Sequence, residues 1–316
     1  MKKYFAALML SALTASSGVY AQADIESFCT ELPRPAYSAL EKRPESTGWF
    51  EVYTVAPGVT AIYEPFQWQE VISYLIEGED GALLFDTGNG IEDIKAVVDR
   101  LTNKPVTVIN SHSHYDHVGG NHQFDRILSV STDFSREMTQ GLPNEAVSEE
   151  LSDPALCKSP PSGATAATHL IKPYSITGTV TDGDVIDLGG RRLEVLQLPG
   201  HTDDAVALLE RKTGYLWIGD TYYNGPIWLF APQTDLEAYR ASISRLVALA
   251  PTLTKLFPAH NTPVEDPSVL ARVQAAFEKV VTTDLAPDAV EDGMAEFRFD
   301  GFSFIMRPDY RHIGDE

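Results

Sequence analysis

"NSHSHYDHVGGN", Asn110 to Asn121, places three histidines and an aspartate within six positions. Side chains two apart in extended chain share a side, so His112 and His114 can direct two imidazoles to one point. Asp116 and His117 add a carboxylate and a third imidazole. Gly119-Gly120 then permits tight backbone geometry where the loop enters the next element. A polar surface loop would account for a single His-x-His. It does not account for four groups of ligand chemistry crowded into His-x-His-x-Asp-His, and the stretch is read as a metal loop.

The flanking pattern puts this loop at the end of a strand. Phe50 to Thr54, Val59 to Tyr63 and Val71 to Ile76 alternate as strands, with Gly58 and Gly78 as punctuation. Ala82 to Phe85 is a short apolar run that opens into Asp86-Thr87-Gly88. Ile91, Ile94, Val97, Val98 and Leu101 mark a helix over Ile91 to Leu101, and Val106 to Ile109 is a β-branched strand leading directly into the histidines. Strand, helix, strand, then functional loop is an α/β pattern with its chemistry at the strand's carboxyl end.

The second half repeats the theme. Strands are expected at Val185 to Leu188, Leu193 to Leu198, Ala205 to Leu209, Tyr215 to Ile218 and Lys255 to Phe257. Helices are expected at Leu236 to Ala250 and near Pro267 to Val281, with a last edge hairpin over Phe297 to Met306. Three of these strands end in further ligand-type residues: Gly200-His201-Thr202, Gly219-Asp220 and Ala259-His260. Between the halves, residues 140–173 are rich in Pro, Ser, Gly and Ala, and read as an insertion or lid, a plain surface loop being the alternative.

The ordered set of His112-x-His114-x-Asp116-His117, Gly200-His201-Thr202, Gly219-Asp220 and His260, with Asp86-Thr87-Gly88 ahead of it, resembles the metallo-β-lactamase superfamily over roughly residues 50 to 283. The resemblance implies a four-layer αββα sandwich of α/β class, with the site along one edge. It implies one zinc on His112, His114 and His201, and a second on Asp116, His117 and His260. Asp220 would bridge them and a hydroxide would lie between. Manganese or iron could occupy such a nitrogen and carboxylate site. Asp86 would orient a ligand or the loop, and Asp116 would also orient the hydroxide or shuttle its proton.

Within the superfamily, the bridging Asp220 resembles the glyoxalase II and lactonase branches. Tyr223, three residues on, resembles the Asp-x-x-Tyr of quorum-quenching lactonases, whose phenol bonds the substrate carbonyl, although Tyr222 could take that place. Pro226 to Phe230 is either an apolar pocket wall or core packing. Asp203-Asp204 after the third motif argue against anionic substrates such as glutathione thioesters. The expected activity is hydrolysis of a small neutral or apolar ester or lactone. The competing readings are β-lactam hydrolysis, a mononuclear iron sulfur dioxygenase, and a non-catalytic binding protein.

The rest of the composition concerns location and partners. Lys2-Lys3, the apolar run Phe5 to Leu10 and Val19-Tyr20-Ala21 read as a signal peptide over residues 1–21, cleaved near Ala21, which implies a periplasmic or secreted protein. Residues 22–48 then form an N-terminal extension, and 49–316 the main domain. The segment is too short and too rich in Ser and Thr for stable membrane insertion. The chain carries a formal net charge of −21, which disfavours nucleic acid and anionic membranes and leaves a small molecule as the partner. No oligomeric state is implied. Cys29 and Cys157 are the only cysteines; in an oxidising compartment they could pair, the alternative being two free or buried thiols.

Overall fold

The computed structural model describes residues 28–307, so the expected signal peptide lies outside the described residues. The first sheet has eight strands in sequential order: β1 (Glu41–Lys42), β2 (Glu51–Ala56), β3 (Val59–Tyr63), β4 (Ile72–Glu77), β5 (Ala82–Phe85), β6 (Val106–Ile109), β7 (Ile127–Ser129) and β8 (Gly178–Thr179). Strands β1 to β5 pair antiparallel, and β5 to β8 pair parallel. The switch is made by helix α1 (Ile94–Leu101), the crossover that a parallel neighbour requires. Asp93 caps α1 by accepting from Ala96 N at 2.8 Å, so the helix begins three residues later than the apolar period suggests.

Helices α2 (Tyr115–Val118), α3 (Asp133–Met138) and α4 (Asn144–Val147) decorate the connections around β7. The second sheet contains β9 (Val185–Asp187), β10 (Arg192–Gln197), β11 (Val206–Glu210) and β12 (Tyr215–Gly219). Strand β13 (Gly225–Leu229) leaves this sheet, and β14 (Lys255–Pro258) returns to pair parallel with β12. Helices α5 (Leu236–Leu249) and α6 (Val269–Thr282) flank β14 in sequence.

Strands β3, β5 and β11 are buried on both faces, so their alternation sorts side chains between cores rather than between core and water. From β5, Leu83 and Phe85 face the second sheet with Trp217 and Phe257, while Ala82 and Leu84 face Ile94, Val97 and Val98 of α1. On the far side of the second sheet, Leu209, Leu216 and Ile218 meet Ile243 and Leu246 of α5 and Val273 and Phe277 of α6. Helix, sheet, sheet, helix is the expected αββα order.

The carboxyl-terminal hairpin differs from expectation in its place. Strands β15 (Ala289–Glu291), β16 (Met294–Phe299) and β17 (Phe302–Met306) form a separate four-stranded sheet with β13, and β17 is internal to it, parallel to β13. The apolar run at Pro226 to Phe230 is therefore mostly a strand. Ile227 and Leu229 point into the core, and Trp228 lies against Trp68 and Phe230 at centroid distances of 5.9 and 5.3 Å. Core packing accounts for Ile227 and Leu229, while Pro226 and Trp228 line a cavity.

Cys29 and Cys157 form a disulfide across 128 residues. It joins the N-terminal extension to the 140–173 insertion. That insertion is pinned to the loop between β3 and β4: Trp68 N donates to Ala155 O at 3.0 Å, and Cys157 N to Phe66 O at 2.9 Å. No helix among the described residues is long and apolar enough to cross a membrane.

Candidate metal centre

The loop after β6 is closed on itself before it presents any ligand. Asn110 and Asn121, its two ends, bond each other through Asn121 Nδ2 to Asn110 Oδ1 at 2.9 Å, and Asn110 Nδ2 donates to His117 O at 2.7 Å. Thr87 Oγ1 donates to Asn121 Oδ1 at 2.9 Å, which ties this loop to the one after β5. The two loops touch backbone to backbone. A Cβ on Gly119 would lie 2.3 Å from the carbonyl carbon of Asn89, so the glycine there is required by close approach.

The sequence-predicted residues converge at the carboxyl ends of β6, β10, β12 and β14. His112, His114 and His201 bring one nitrogen each together, as do His117 and His260 with one oxygen of Asp116, and His112 and His117 with Asp220. His114 Nδ1 is 2.8 Å from His112 Nε2 and 3.0 Å from His201 Nε2. His260 Nε2 is 3.3 Å from His117 Nε2. Asp220 stands between the sets: Oδ1 is 3.1 Å from His260 Nε2 and 3.4 Å from His117 Nε2, and Oδ2 is 3.7 Å from His201 Nε2.

The imidazoles are aimed by partners on their other nitrogens. His117 Nδ1 donates to Asp86 Oδ2 at 3.0 Å and His260 Nδ1 to the Gln69 carbonyl at 2.6 Å, which leaves both Nε2 atoms facing the centre. Ser111 Oγ does the same for His112 Nδ1 at 3.0 Å. Asp86 also accepts from Ser111 N at 2.6 Å and holds a left-handed backbone, φ 66°. Glu70 (φ 46°) and Asn261 (φ 61°) share that uncommon geometry beside the site.

The electrostatics divide along the same lines. Burial, joined by neighbouring histidines, pushes His112 well down and His114 to about 3, so both are neutral donors of a lone pair. At His117 and His260 burial also acts downward, but Asp116, Asp220 and, for His117, Asp86 outweigh it and raise both. Burial would raise Asp116 and Asp220; His117 and His260 overcome it and hold both carboxylates below their ordinary range. Asp220 Oδ1 is buried and makes no hydrogen bond. Five imidazoles, two carboxylates and an orphaned carboxylate oxygen fit a divalent cation's donor set.

Tyr223, not Tyr222, lies on the site side. Its ring is 4.7 Å from that of His260, and its hydroxyl donates to the Pro226 carbonyl. Tyr222 instead packs on Phe302 in the core. Asp204 is buried and accepts from Thr202 Oγ1 at 2.7 Å, so only Asp203 of that pair is exposed. Asp204 serves the loop, which leaves Asp203 alone to oppose an anionic substrate.

Two buried glutamates carry no local signal in the sequence. Glu64 accepts from Trp49 Nε1 and Asn89 N, and Glu150 accepts from Gln67, Trp68 and Tyr115; burial pushes each up to about 7. Tyr115 Oη in turn accepts from Gln69 Nε2 at 2.8 Å, and Gln69 holds His260. A chain of contacts thus runs from the insertion to a site histidine. Nothing in local pattern reveals it, since its members are far apart in sequence and each is an ordinary polar residue.

An αββα sandwich with buried His and Asp clusters at its strand ends defines a metal-centred α/β enzyme class. A family model described as the metallo-beta-lactamase superfamily matches residues 68–282, and the chain belongs to that superfamily. Acyl-coenzyme A thioesterase MBLAC2 of Bos taurus is 27% identical over 228 residues, covering 67% of this chain and 81% of that protein. Hydroxyacylglutathione hydrolase of Idiomarina loihiensis is 26% identical over 183 residues, 58% of this chain and 57% of that protein. Among solved structures, a metallo-beta-lactamase from Pontibacter korlensis has a TM-score of 0.51 at 22% identity, covering 72% of this chain and 99% of its own. The chain is a metallo-hydrolase of this fold.

Proposed function

We propose that the chain is an exported dinuclear zinc hydrolase that cleaves a small neutral or apolar ester or lactone. The observation that supports it most is the meeting of seven ligand-type residues in two sets with Asp220 between them. His112, His114 and His201 would hold one ion, and Asp116, His117 and His260 the other, with Asp220 shared. Two zinc ions, or manganese or iron in their place, would supply activation of water at neutral pH and polarisation of the carbonyl. Asp116, whose Oδ2 is 3.3 Å from His117 Nε2 and 3.7 Å from His260 Nε2, would also hold the proton of an attacking water. Asp86, Ser111 and Gln69 keep the imidazoles oriented so that little reorganisation accompanies the reaction. Trp68 and Trp228 line the same cavity as His260. The disulfide supports an oxidising compartment and hence export.

A thioester is the second reading. A relative matched over two-thirds of the chain is named as an acyl-coenzyme A thioesterase, and buried Asp204 no longer opposes an anionic leaving group. Rates on an aryl ester, an acyl-homoserine lactone, an acyl thioester and a cephalosporin, with metal analysis of the same sample, separate the possibilities. The proposal expects about two zinc ions per chain and ester or lactone turnover above the others. Dominant thioester turnover selects the second reading, dominant cephalosporin turnover a β-lactamase, and a single iron per chain a dioxygenase. Recovery of the mature protein from the periplasm or medium, beginning after Ala21, tests export.

A further inference from the structure

Parts of the chain on both sides of the superfamily match meet beside His260. They line an open cavity of about 430 Å³, within the range of about 300–1,000 Å³ usual for small-molecule sites. His260, Gln69 and Tyr223 line it. Trp68 and Trp228, ring centroids 5.9 Å apart, form one wall. Phe28 of the N-terminal extension and Phe302 of β17 contribute from outside residues 68–282.

The charges in the lining are answered within it. Arg34 Nη2 is 2.5 Å from Glu70 Oε1, and Arg34 Nη1 is 3.0 Å from Glu31 Oε2. Arg298 Nη2 is 2.6 Å from Glu296 Oε2. Each guanidinium already meets at least one carboxylate, so an anionic group entering here would have to displace an acid. The aromatic walls, in contrast, gain by taking apolar surface out of water.

We infer that this cavity binds a neutral, unbranched acyl arm of the substrate, lying against Trp228 with its carbonyl end at His260. The inference rests on the ester hydrolase reading and specifies the substrate for it. It also gives the extension and the β13–β17 sheet a role: they build the specificity wall onto the superfamily core.

The zinc-loaded full-length protein is assayed on p-nitrophenyl acetate, butanoate and octanoate. At about 0.8 kcal/mol for each buried methylene, kcat/KM should climb at least ~10-fold from acetate to octanoate, chiefly through KM. Trp228→Ala, which removes a wall, and Ser303→Phe, which fills the cavity from β17, should each lower the octanoate-to-acetate ratio at least ~5-fold. A flat series in the wild type, or losses equal for every ester in both variants, overturns the inference. Octanamide, a neutral chain that is not an ester, gives an independent reading through quenching of tryptophan fluorescence. Its binding, weakened at least ~5-fold by Ser303→Phe, supports the arm site even where no ester turns over, a result that would sink the hydrolase reading alone. Absence of octanamide binding by the wild type sinks the arm site.

Discussion

Asp86 Oδ2 lies 3.0 Å from His117 Nδ1, and neither side chain reaches solvent. The aspartate comes from the loop after β5 and the histidine from the loop after β6, so the contact joins neighbouring parallel strands at the site. Asparagine tolerates the left-handed backbone at this position, φ 66°, better than most residues. Asp86→Asn therefore tests the charge with little added strain. Zinc affinity and turnover should fall about 10–100-fold, the usual cost of losing a ligand's orienting partner. Competition with a chromophoric chelator measures the affinity, and an unchanged value would remove Asp86 from the site.

Removal of a ligand should cost more. His112→Ala or Asp220→Ala is expected to lower turnover at least ~100-fold, with zinc per chain falling in parallel. Because ions that bind only the folded state stabilise it, chelator treatment of the wild type should also lower Tm. Near-wild-type rates in either variant would reject the ligand assignment.

Tyr115 is held between Glu150 Oε1 at 2.7 Å and Gln69 Nε2 at 2.8 Å. Tyr115→Phe leaves buried Glu150 and half-buried Gln69 each short of a bond, at a cost of about 1–3 kcal/mol. Denaturant unfolding should show that loss. Since Gln69 also holds His260, the metal-binding isotherm should weaken by about 10-fold for one ion. Loss of stability with an unaltered isotherm would make Tyr115 a structural residue only.

Glu64 makes stability fall as pH rises through the weakly acid range. Burial pushes its carboxyl from 4.5 up to about 7, so the folded state binds its proton more tightly than the unfolded state does. The resulting stabilisation is complete below the unfolded value and is lost as pH rises through the folded one. Glu64→Gln should abolish this contribution, about 3 kcal/mol at roughly 1.4 kcal/mol per pKa unit. Urea unfolding of wild type and variant at pH 4.5 and 7.5 gives the comparison. Equal pH slopes in the two proteins would count against it.

The disulfide is expected to matter for stability. It closes 128 residues, and replacing both cysteines by serine should cost about 2–5 kcal/mol. The check is the shift in unfolding midpoint with and without reductant: the wild type should move and the double variant should not.

The candidate ligands are legible in the sequence because each sits immediately after an apolar strand, where local pattern and residue chemistry coincide. His112, His114, Asp116 and His117 announce themselves by density, and His201, Asp220 and His260 by repeated strand-end position. Less was legible where contact depends on partners far apart. Glu150 touches Tyr115 across 35 residues, and His260 meets Gln69 across 191. Asp204 reads as a surface acid yet turns inward, and Phe297 to Met306 reads as an edge hairpin yet supplies an internal strand.

By itself, then, the sequence determined the αββα class and the residues able to hold metal, since alternation and ligand chemistry are local properties. Tertiary structure decided which nitrogens converge, that Tyr223 rather than Tyr222 lies beside His260, and that two aromatic segments from opposite ends of the chain close a cavity there. Those outcomes follow from packing between distant segments, and no local run of residues encodes the distance between them.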